Sequence, residues 1–452
     1  MTVRSKLTSG VVGLLVLGAG GWAAAVVASP LDAGIAPLHA AVQPDGVHRH
    51  LVCAGAIAGH SASSAEIIPV GHASMTTMAG NRIDGMTLAG ANNGSIIAQH
   101  SGKVPAAATE SVAAHDAQLV GYLASECGDA VNDQWLVGGS TETGRESTLV
   151  LSNGTDVDAR VDLEIWGANG VVDAPGSKGI VVPAHSQRAY SVAGFIPNEP
   201  SPALHVVSTG AAIWATLQVS VVRGLVPGGL DRIGSVNAPD TTLVFPEVRL
   251  PTDESIGEVL ADPDYADVEG AIRLLNPGAV DAAATITLIP SDGGKAQSVT
   301  ATVNAGVVTD IGLSDFAPGD WSIVVTSDQP LVGAIRTGFH DAASGVTDIA
   351  WQSAAPIHRG AMSLAVPSGA SLGIINSGSK PVDVSIVNSD TGTKVTIPAG
   401  GSIIRPVEPG AVLLDSNGPI AANIAITTTL GIATVRALPE PHDAGAVSVI
   451  FG

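Results

Sequence analysis

Hydrophobic and polar residues alternate in three short segments of this chain. Alternation with a period of two gives one buried and one solvated face, so each segment is predicted to be a β-strand. An apolar run that ends at an asparagine precedes each segment, and Asn beside Gly, Pro or Ser is typical of a turn. The segments are residues 160–165, 285–289 and 382–386, and the asparagines are Asn153, Asn276 and Asn376.

The order of strands and turns is the same after each asparagine, which predicts three tandem repeats. We place them at residues 133–240, 241–357 and 361–452. Short strands separated by turns every ~8–12 residues predict an all-β fold of tandem antiparallel immunoglobulin-like sandwiches. The alternative is a β-propeller, in which each repeat supplies one or two blades and a strand at residues 447–451 closes the ring.

A long uncharged segment opens the chain. Arg4 and Lys6 precede residues 7–31, which contain no charged residue. A helix of this length can span a ~30 Å hydrocarbon core, and the basic flank keeps its N-terminus in the cytoplasm. Residues 1–31 are therefore predicted to be a single-pass transmembrane helix in the cell membrane, with the body outside. A signal peptide, cleaved after Ala28 to release a secreted body, is the alternative.

Residues 32–132 match the repeats poorly and are predicted to form a loop-rich β region. The chain has two cysteines, Cys53 and Cys127, and both lie in this exported region. A pair of cysteines in an oxidising compartment favours a disulfide, and two separate thiols are the alternative. A bridge across about 75 residues would stabilise the fold by on the order of 4 kcal/mol in the chain-entropy model.

The charge and composition narrow the possible functions. The net charge of −21 argues against nucleic-acid binding, because a nucleic-acid binder needs a basic face. Charged residues are 13% and hydrophobic residues 45% of the chain, so the body can bury several cores. The scattered tryptophans are predicted to be core residues rather than a carbohydrate platform. They are Trp135, Trp166, Trp214, Trp321 and Trp351.

An acidic insert occupies residues 253–269 of the second repeat. Its carboxylates are Asp253, Glu254, Glu258, Asp262, Asp264, Asp267 and Glu269. A run of like charges is typical of a solvated loop, which is the predicted structure. Calcium binding is the alternative, although the insert lacks the regular ligand spacing of a glycine-turned calcium loop.

No pattern indicates a catalytic, cofactor or metal site. His48 and His50 could share one face of a strand as half of a metal site, but no partner stands at a known spacing. Ser61 comes closest to the glycine-flanked serine of hydrolases, but it lacks the second glycine and the strand–helix context. Asn93 and Asn153 begin glycosylation sequons, and the second belongs to the repeated turn.

Several features resemble a family of uncharacterised actinobacterial envelope proteins. They are the Glu-Cys-Gly motif at residues 126–128 that leads to Trp135, the Leu-x-Asn turns and the Ser-x-x-Pro strands. The resemblance covers most of residues 118–440. It implies an N-terminal membrane segment followed by repeated extracellular β units. Because its motifs are structural turns, the resemblance implies no active-site residues.

These observations predict a membrane-tethered extracytoplasmic protein with a non-enzymatic role in binding, scaffolding or adhesion at the cell envelope. The expected partners are envelope proteins or glycans, with the membrane bound through residues 7–31 and no nucleic acid. No cofactor is expected. Exposed strand edges and loop tips would carry recognition. The alternative is an envelope hydrolase or glycan-modifying enzyme with its site on loops of residues 32–132.

Overall fold

The computed structural model describes most of the chain beyond the predicted anchor. The described residues are 38–42, 50–60, 67–78, 86–90, 93–98, 106–291, 293–388, 391–440 and 447–451. The predicted transmembrane segment at residues 7–31 lies outside them. None of the helices in these ranges has the length and apolar character needed to cross a membrane. The chain forms two compact units, Met1–Val47 with Asp443–Gly452, and His48–His442.

The strands before the first repeat are short. β1 (Leu38–Val42) belongs to the smaller unit, and the larger unit begins with β2 (His50–Cys53), β3 (Ile57–His60), β4 (Ile67–Val70), β5 (Ser74–Thr77), β6 (Met86–Thr87), β7 (Ser95–Ala98), β8 (Ala108–His115), β9 (Val120–Glu126) and β10 (Gly128–Asp129). The strands of the larger unit form antiparallel sheets in the orders β10-β2-β7-β6, β3-β4 and β5-β8-β9. Cys53 and Cys127 form the predicted disulfide, which joins the end of β2 to the junction of β9 and β10.

Replacing both Cys53 and Cys127 with serine is expected to lower the free energy of unfolding of the full chain by about 4 kcal/mol. The reason is that the bond closes a loop between residues separated by 74 positions, which restricts the unfolded chain. Urea unfolding followed by tryptophan fluorescence measures the loss. As a control, thiol labelling of the unreduced wild-type protein should give no signal, and two labelled sulfurs would contradict the bond.

The first repeat folds as two antiparallel sheets over one hydrophobic core. Its strands are β11 (Asp133–Val137), β12 (Arg145–Asn153), β13 (Ala159–Gly167), β14 (Gly170–Val172), β15 (Ile180–Val182), β16 (Ser186–Ser191), β17 (Ala203–Thr209), β18 (Trp214–Arg223) and β19 (Val226–Gly234), with a 3-10 turn at Val192–Gly194. One sheet has the order β11-β17-β13-β14 with β15 also on β13, and the other has the order β16-β12-β18-β19. Leu163 of the first sheet and Leu151 and Leu217 of the second belong to the same core.

The second repeat has the same arrangement, but one long strand serves both sheets. Its strands are β20 (Asp240–Leu250), β21 (Ala271–Leu275), β22 (Ala282–Pro290), β23 (Gln297–Val303), β24 (Val308–Gly312), β25 (Gly319–Asp341) and β26 (Val346–Ser353). The first half of β25 lies between β20 and β22, and its second half lies between β21 and β26. The acidic insert between β20 and β21 forms α1 (Asp253–Ile256) and 3-10 turns at Val259–Ala261 and Pro263–Val268.

The strand arrangement of the third repeat is similar to that of the second. Its strands are β27 (His358–Val366), β28 (Ala370–Ile375), β29 (Val382–Asn388), β30 (Thr391–Ile397), β31 (Ser402–Pro406), β32 (Gly410–Thr428), β33 (Gly431–Arg436) and β34 (Leu438–Pro439). The long strand here is β32. The final strand, β35 (Val447–Phe451), pairs with β1. The sheets of the described residues therefore do not close the propeller that was the alternative prediction.

The three predicted asparagine corners share one structural setting, which establishes the repeat. Asn153, Asn276 and Asn376 are each 0% exposed. Each Nδ2 donates to the carbonyl oxygen four residues later, on Val157, Val280 and Lys380. Each Nδ2 also donates to the carbonyl of the residue that ends a later strand, on Val182, Val303 and Ile397. The amide thus satisfies buried backbone groups at the corner, and this role explains the sequon at Asn153.

Four strands from different parts of the larger unit meet around Asp348, in what we call the central junction. β26, which carries Asp348, contacts β9, β19 and β33. The carboxylate accepts backbone N–H groups from Leu230 at 2.8 Å, Ile432 at 3.0 Å and Tyr122 at 3.2 Å. Gly431 permits the close approach, because a Cβ there would lie 1.7 Å from the Asp348 Oδ2. One side chain therefore ties all three repeats and the N-terminal region together.

Two buried ion pairs reinforce the central junction. Arg232 of β19 pairs with Glu110 of β8 at 3.4 Å and donates to the carbonyl oxygens of Gly55 and Ala56. Arg436 of β33 pairs with Glu126 of β9. These charges can be buried because each is paired with an opposite charge and is hydrogen-bonded.

Candidate functional site

A cleft of about 490 Å³ opens between the first and second repeats. We call it the arginine cleft, and define it by Arg145, Arg273, Arg336, Asp267, Asp310 and Trp351, which line it. Its floor is the outer face of the sheet formed by β24, β21, β25 and β26. Apolar residues of that sheet, among them Leu275 and Val332, belong to the core of the first repeat. The two repeats therefore share a core, and the polar part of the same face forms the cleft.

Arg273 connects the floor of the cleft to the first repeat. It stands opposite Asp310 in the pairing of β21 with β24, and its Nε and Nη2 donate to the two carboxylate oxygens at 2.7 and 2.8 Å. Its Nη1 donates to the carbonyl oxygen of Gly139, and its Nη2 to that of Pro200. Burial alone would raise the pKa of Asp310, but the hydrogen bonds and charge of Arg273 lower it below its usual value.

Most described carboxylates of the acidic insert at residues 253–269 are exposed, in agreement with the predicted solvated segment, but Asp267 packs against this cleft. Asp267 pairs with Arg145 at 3.2 Å and with Arg223 at 2.5 Å, and the carbonyl oxygen of Asp264 accepts from both arginines. Arg145 and Arg223 hold the insert against the first repeat because their positive charges neutralise the carboxylate of Asp267. Its described carboxylates do not converge on a common point, which gives the calcium alternative no support.

Arg336 and Trp351 are cross-strand neighbours on the floor of the cleft. The Arg336 guanidinium lies 5.7 Å from the centroid of the Trp351 ring, and that of Arg273 lies 4.8 Å from it. Burial, and then the positive charge of Arg273, lowers the pKa of Arg336. Among the described residues, the Nε of Arg336 and the Nε1 of Trp351 have no hydrogen-bond partner. These two donor atoms are buried in the wall of the cleft, whereas Arg336 as a whole is half-buried.

A second cavity, of about 420 Å³, lies between the second and third repeats. It is lined by Glu247, His340 and Gln352 together with apolar residues such as Leu250 and Phe339. Burial raises the pKa of Glu247 to about 7, although the hydroxyl of Ser371 donates to its carboxyl group. The Oε2 of Glu247 and the Nε2 of Gln352 have no partner among the described residues. This cavity is more apolar than the arginine cleft.

The structure places the other candidate residues as follows. His48 and Ser61 lie outside the described residues, and His50 is exposed on β2. The hydrolase alternative in residues 32–132 therefore stays a prediction. Glu110 lies close to the sulfurs of Cys53 and Cys127, but their disulfide leaves no thiolate for a metal. The tryptophans of the body are buried, as predicted, and Trp351 alone lies in the floor of the arginine cleft.

The sequence prediction missed the arginines of the cleft. Arg273 and Arg336 each follow an apolar residue pair inside a strand, Ala271–Ile272 and Ala334–Ile335. A charge inside an apolar strand was the one available signal, because a buried charge requires a partner.

Comparisons with known proteins give a family and no activity. The sequence profile described as "Family of unknown function (DUF5719)" matches residues 87–403. No curated protein has a sequence that matches the chain. The solved structures that resemble it include a calcium-binding mutant of Bacteroides uniformis beta-glucuronidase 2, at 10% identity and a TM-score of 0.14 over 72% of this chain and 33% of that one. A glycosyl hydrolase family 2 member from Bacteroides cellulosilyticus DSM 14838 has 10% identity and a TM-score of 0.12 over 71% of this chain and 37% of that one.

The chain thus spans about a third of the length of these enzymes. TM-scores of 0.14 and 0.12 are too low to indicate a shared fold or function.

Proposed function

This chain belongs to the DUF5719 family, a family of unknown function, and we propose that it is a non-enzymatic binding protein of the cell envelope. The ligand site in this proposal is the arginine cleft between the first and second repeats. Its partners would be envelope proteins or glycans. The resemblance to actinobacterial envelope proteins supports the location, and the basic flank of residues 7–31 supports a single-pass anchor. Cleavage of a signal peptide after Ala28 would instead release the body from the membrane.

The observation that carries the proposal is a preformed cleft with unsatisfied polar groups. Buried polar atoms in folded proteins are almost always hydrogen-bonded, so a buried donor without a partner calls for an explanation, and a bound ligand is one explanation. The Nε of Arg336 and the Nε1 of Trp351 are two such donors in the same cleft. The other arginines of the cleft are paired with Asp267 and Asp310, which holds the walls in place. The volume of about 490 Å³ lies within the usual range of small-ligand sites.

We further propose that each repeat is a variant of the immunoglobulin-like sandwich and serves as a rigid support for the cleft. Two sheets over a shared core, with alternating burial along β13, β22 and β29, support this class of fold. The strand order is not that of an antibody constant domain, in which the second strand pairs with the first and fifth. Here β12 lies between β16 and β18.

Blocking the cleft tests the binding function. Ala266 is an exposed residue that lines the cleft, and a tryptophan at this position would fill part of it. In a pull-down of envelope proteins and purified glycans with the full chain, Ala266→Trp is expected to reduce retention of the bound partner by about tenfold or more. The signal is the amount retained relative to wild type.

Ala261→Trp is the matched control, because Ala261 is exposed on the same insert but does not line the cleft. This variant should retain the partner as wild type does. If Ala266→Trp kept every partner that wild type retains, the cleft would not be the binding site and the proposal would fail.

A further inference from the structure

We infer that the arginine cleft binds a ligand through a carboxylate held by Arg336 and Trp351, and that this carboxylate is the free C-terminus of a short peptide. The inference rests on the proposed binding function and names the ligand class for the same site. It follows from the charges of the cleft, the direction of its free hydrogen bonds and the polarity of its opening.

The floor of the cleft has one guanidinium that forms no direct ion pair among the described residues. Arg145 and Arg223 share Asp267, and both carboxylate oxygens of Asp310 are bound by Arg273. Among the described residues, no carboxylate lies within ion-pair distance of Arg336. Its Nη2 reaches only the carbonyl oxygen of Glu269, at 3.5 Å. Asp267 and Asp310 act on Arg336 only from beyond ion-pair distance, and both are already paired with other arginines. An anionic ligand would supply a direct counter-charge.

The two free donors of the floor match a carboxylate. Arg336 and Trp351 stand opposite each other in the pairing of β25 with β26, so their side chains project from the same face of the sheet. The Nε of Arg336 and the Nε1 of Trp351 are both donors. A carboxylate has two acceptor oxygens, and the planar guanidinium fork binds such a group bidentately. A neutral sugar would supply no direct counter-charge to Arg336.

The opening of the cleft excludes polyanions. The carboxylates of Glu142 and Asp264 are exposed and line the cleft on its solvent side. They repel phosphates and acidic polysaccharides and attract cationic or N–H-bearing groups. A ligand that suits both ends has one carboxylate at its inner end and amide or ammonium donors at its outer end. A peptide with a free C-terminus has this chemistry.

Equilibrium dialysis of the full chain tests the inference with defined probes. The probes are a pool of synthetic tripeptides with free C-terminal carboxylates, the same pool amidated, tetragalacturonate and inorganic phosphate. Members of the free-acid pool are expected to be retained at least about tenfold more than their amidated counterparts, because a charge-assisted pair is lost on amidation. Equal retention of the two pools, or stronger retention of tetragalacturonate or phosphate, would overturn the inference.

The variant Arg336→Gln should reduce retention of the free-acid peptides by about tenfold to a hundredfold. Its thermal unfolding midpoint should equal or exceed that of wild type, because the substitution removes a positive charge that Arg273 and Arg145 repel. A purely structural role for Arg336 would lower that midpoint. Arg405→Gln, an exposed arginine on β31, is the matched control and should bind as wild type does. Undiminished binding by Arg336→Gln would also overturn the inference.

The two proposals can fail separately. If Ala266→Trp abolishes retention of an envelope partner while no tripeptide binds, the cleft is a binding site and the peptide assignment is wrong. If neither the partner nor the peptides depend on the cleft, both proposals are wrong.

Discussion

Replacing Asp348 with alanine is expected to lower the free energy of unfolding by about 4 kcal/mol, since each buried donor left unsatisfied costs ~1–3 kcal/mol. The carboxylate accepts N–H groups from β9, β19 and β33, and all three would lose their acceptor at once. Alanine also leaves a cavity where Gly121 and Gly431 approach the carboxylate. Urea unfolding of the full chain, followed by tryptophan fluorescence, measures this loss.

Asp341→Ala is the matched control for that prediction. Asp341 ends β25, and its carboxylate accepts from Ala343 and Ser344 of its own turn. Its removal should leave the unfolding midpoint nearly unchanged. If both variants lost the same stability, the central junction would not hold the repeats together in the way described.

The free energy of unfolding is expected to fall as the pH rises from about 4 to about 8. Burial raises the pKa of Asp231 from 3.8 to about 8, and it also raises the pKa values of Glu110 and Asp348. A carboxyl group whose pKa is higher in the folded state binds its proton more tightly there, so it stabilises the fold at low pH. This contribution is complete below the unfolded pKa of about 4 and is lost as the pH approaches 8. For Asp231 the change is on the order of 5 kcal/mol.

Asp310 acts in the opposite direction but in a different pH range. Its pKa is lowered in the folded protein, so its contribution is lost only as the pH falls below about 4. The decline between pH 4 and 8 therefore reports the buried acids.

The variant Asp231→Asn should flatten the pH dependence. The amide imitates the neutral carboxyl group, and its oxygen can still accept the backbone N–H of Trp351. Unfolding free energies of the variant and wild type, compared at pH 5 and pH 8, should differ more at pH 8, with the variant the more stable there. Asp173→Asn, at an exposed position, is the control and should keep the slope of wild type. An unchanged slope in Asp231→Asn would contradict the assignment.

The repeated architecture could be predicted because local chemistry specifies it. Alternating burial along β13 and the buried amide of Asn153 both follow from short stretches of sequence. A turn asparagine satisfies backbone groups only a few residues away, so its role can be inferred without knowing the rest of the fold. The disulfide was predictable for a different reason, since Cys53 and Cys127 had no other partner.

The arginine cleft could not be predicted in the same way, because its contacts join distant parts of the chain. Arg273 donates to the carbonyl oxygen of Gly139, which lies 134 residues earlier. The contact of the acidic insert with the cleft was missed for the same reason. Its run of carboxylates is typical of a solvated loop. The pairing of Asp267 with Arg145 and Arg223 becomes visible only when the first repeat is packed against the insert. Which charges meet depends on how whole repeats pack, and local pattern does not encode that.

The position of β9 sets the order of events during synthesis. Glu126 of β9 pairs with Arg436, which follows it by 310 residues. At ribosomal rates of ~5–20 residues per second, β9 would wait about 15–60 s before its partner strand exists. During that interval Tyr122 and Ala124, which belong to the core of the third repeat, remain in contact with solvent or with a chaperone, although both are buried in the finished protein. A nascent chain truncated before β33 would therefore expose the face of β9 that the third repeat covers, and completion of the last repeat becomes the step that protects this face from aggregation.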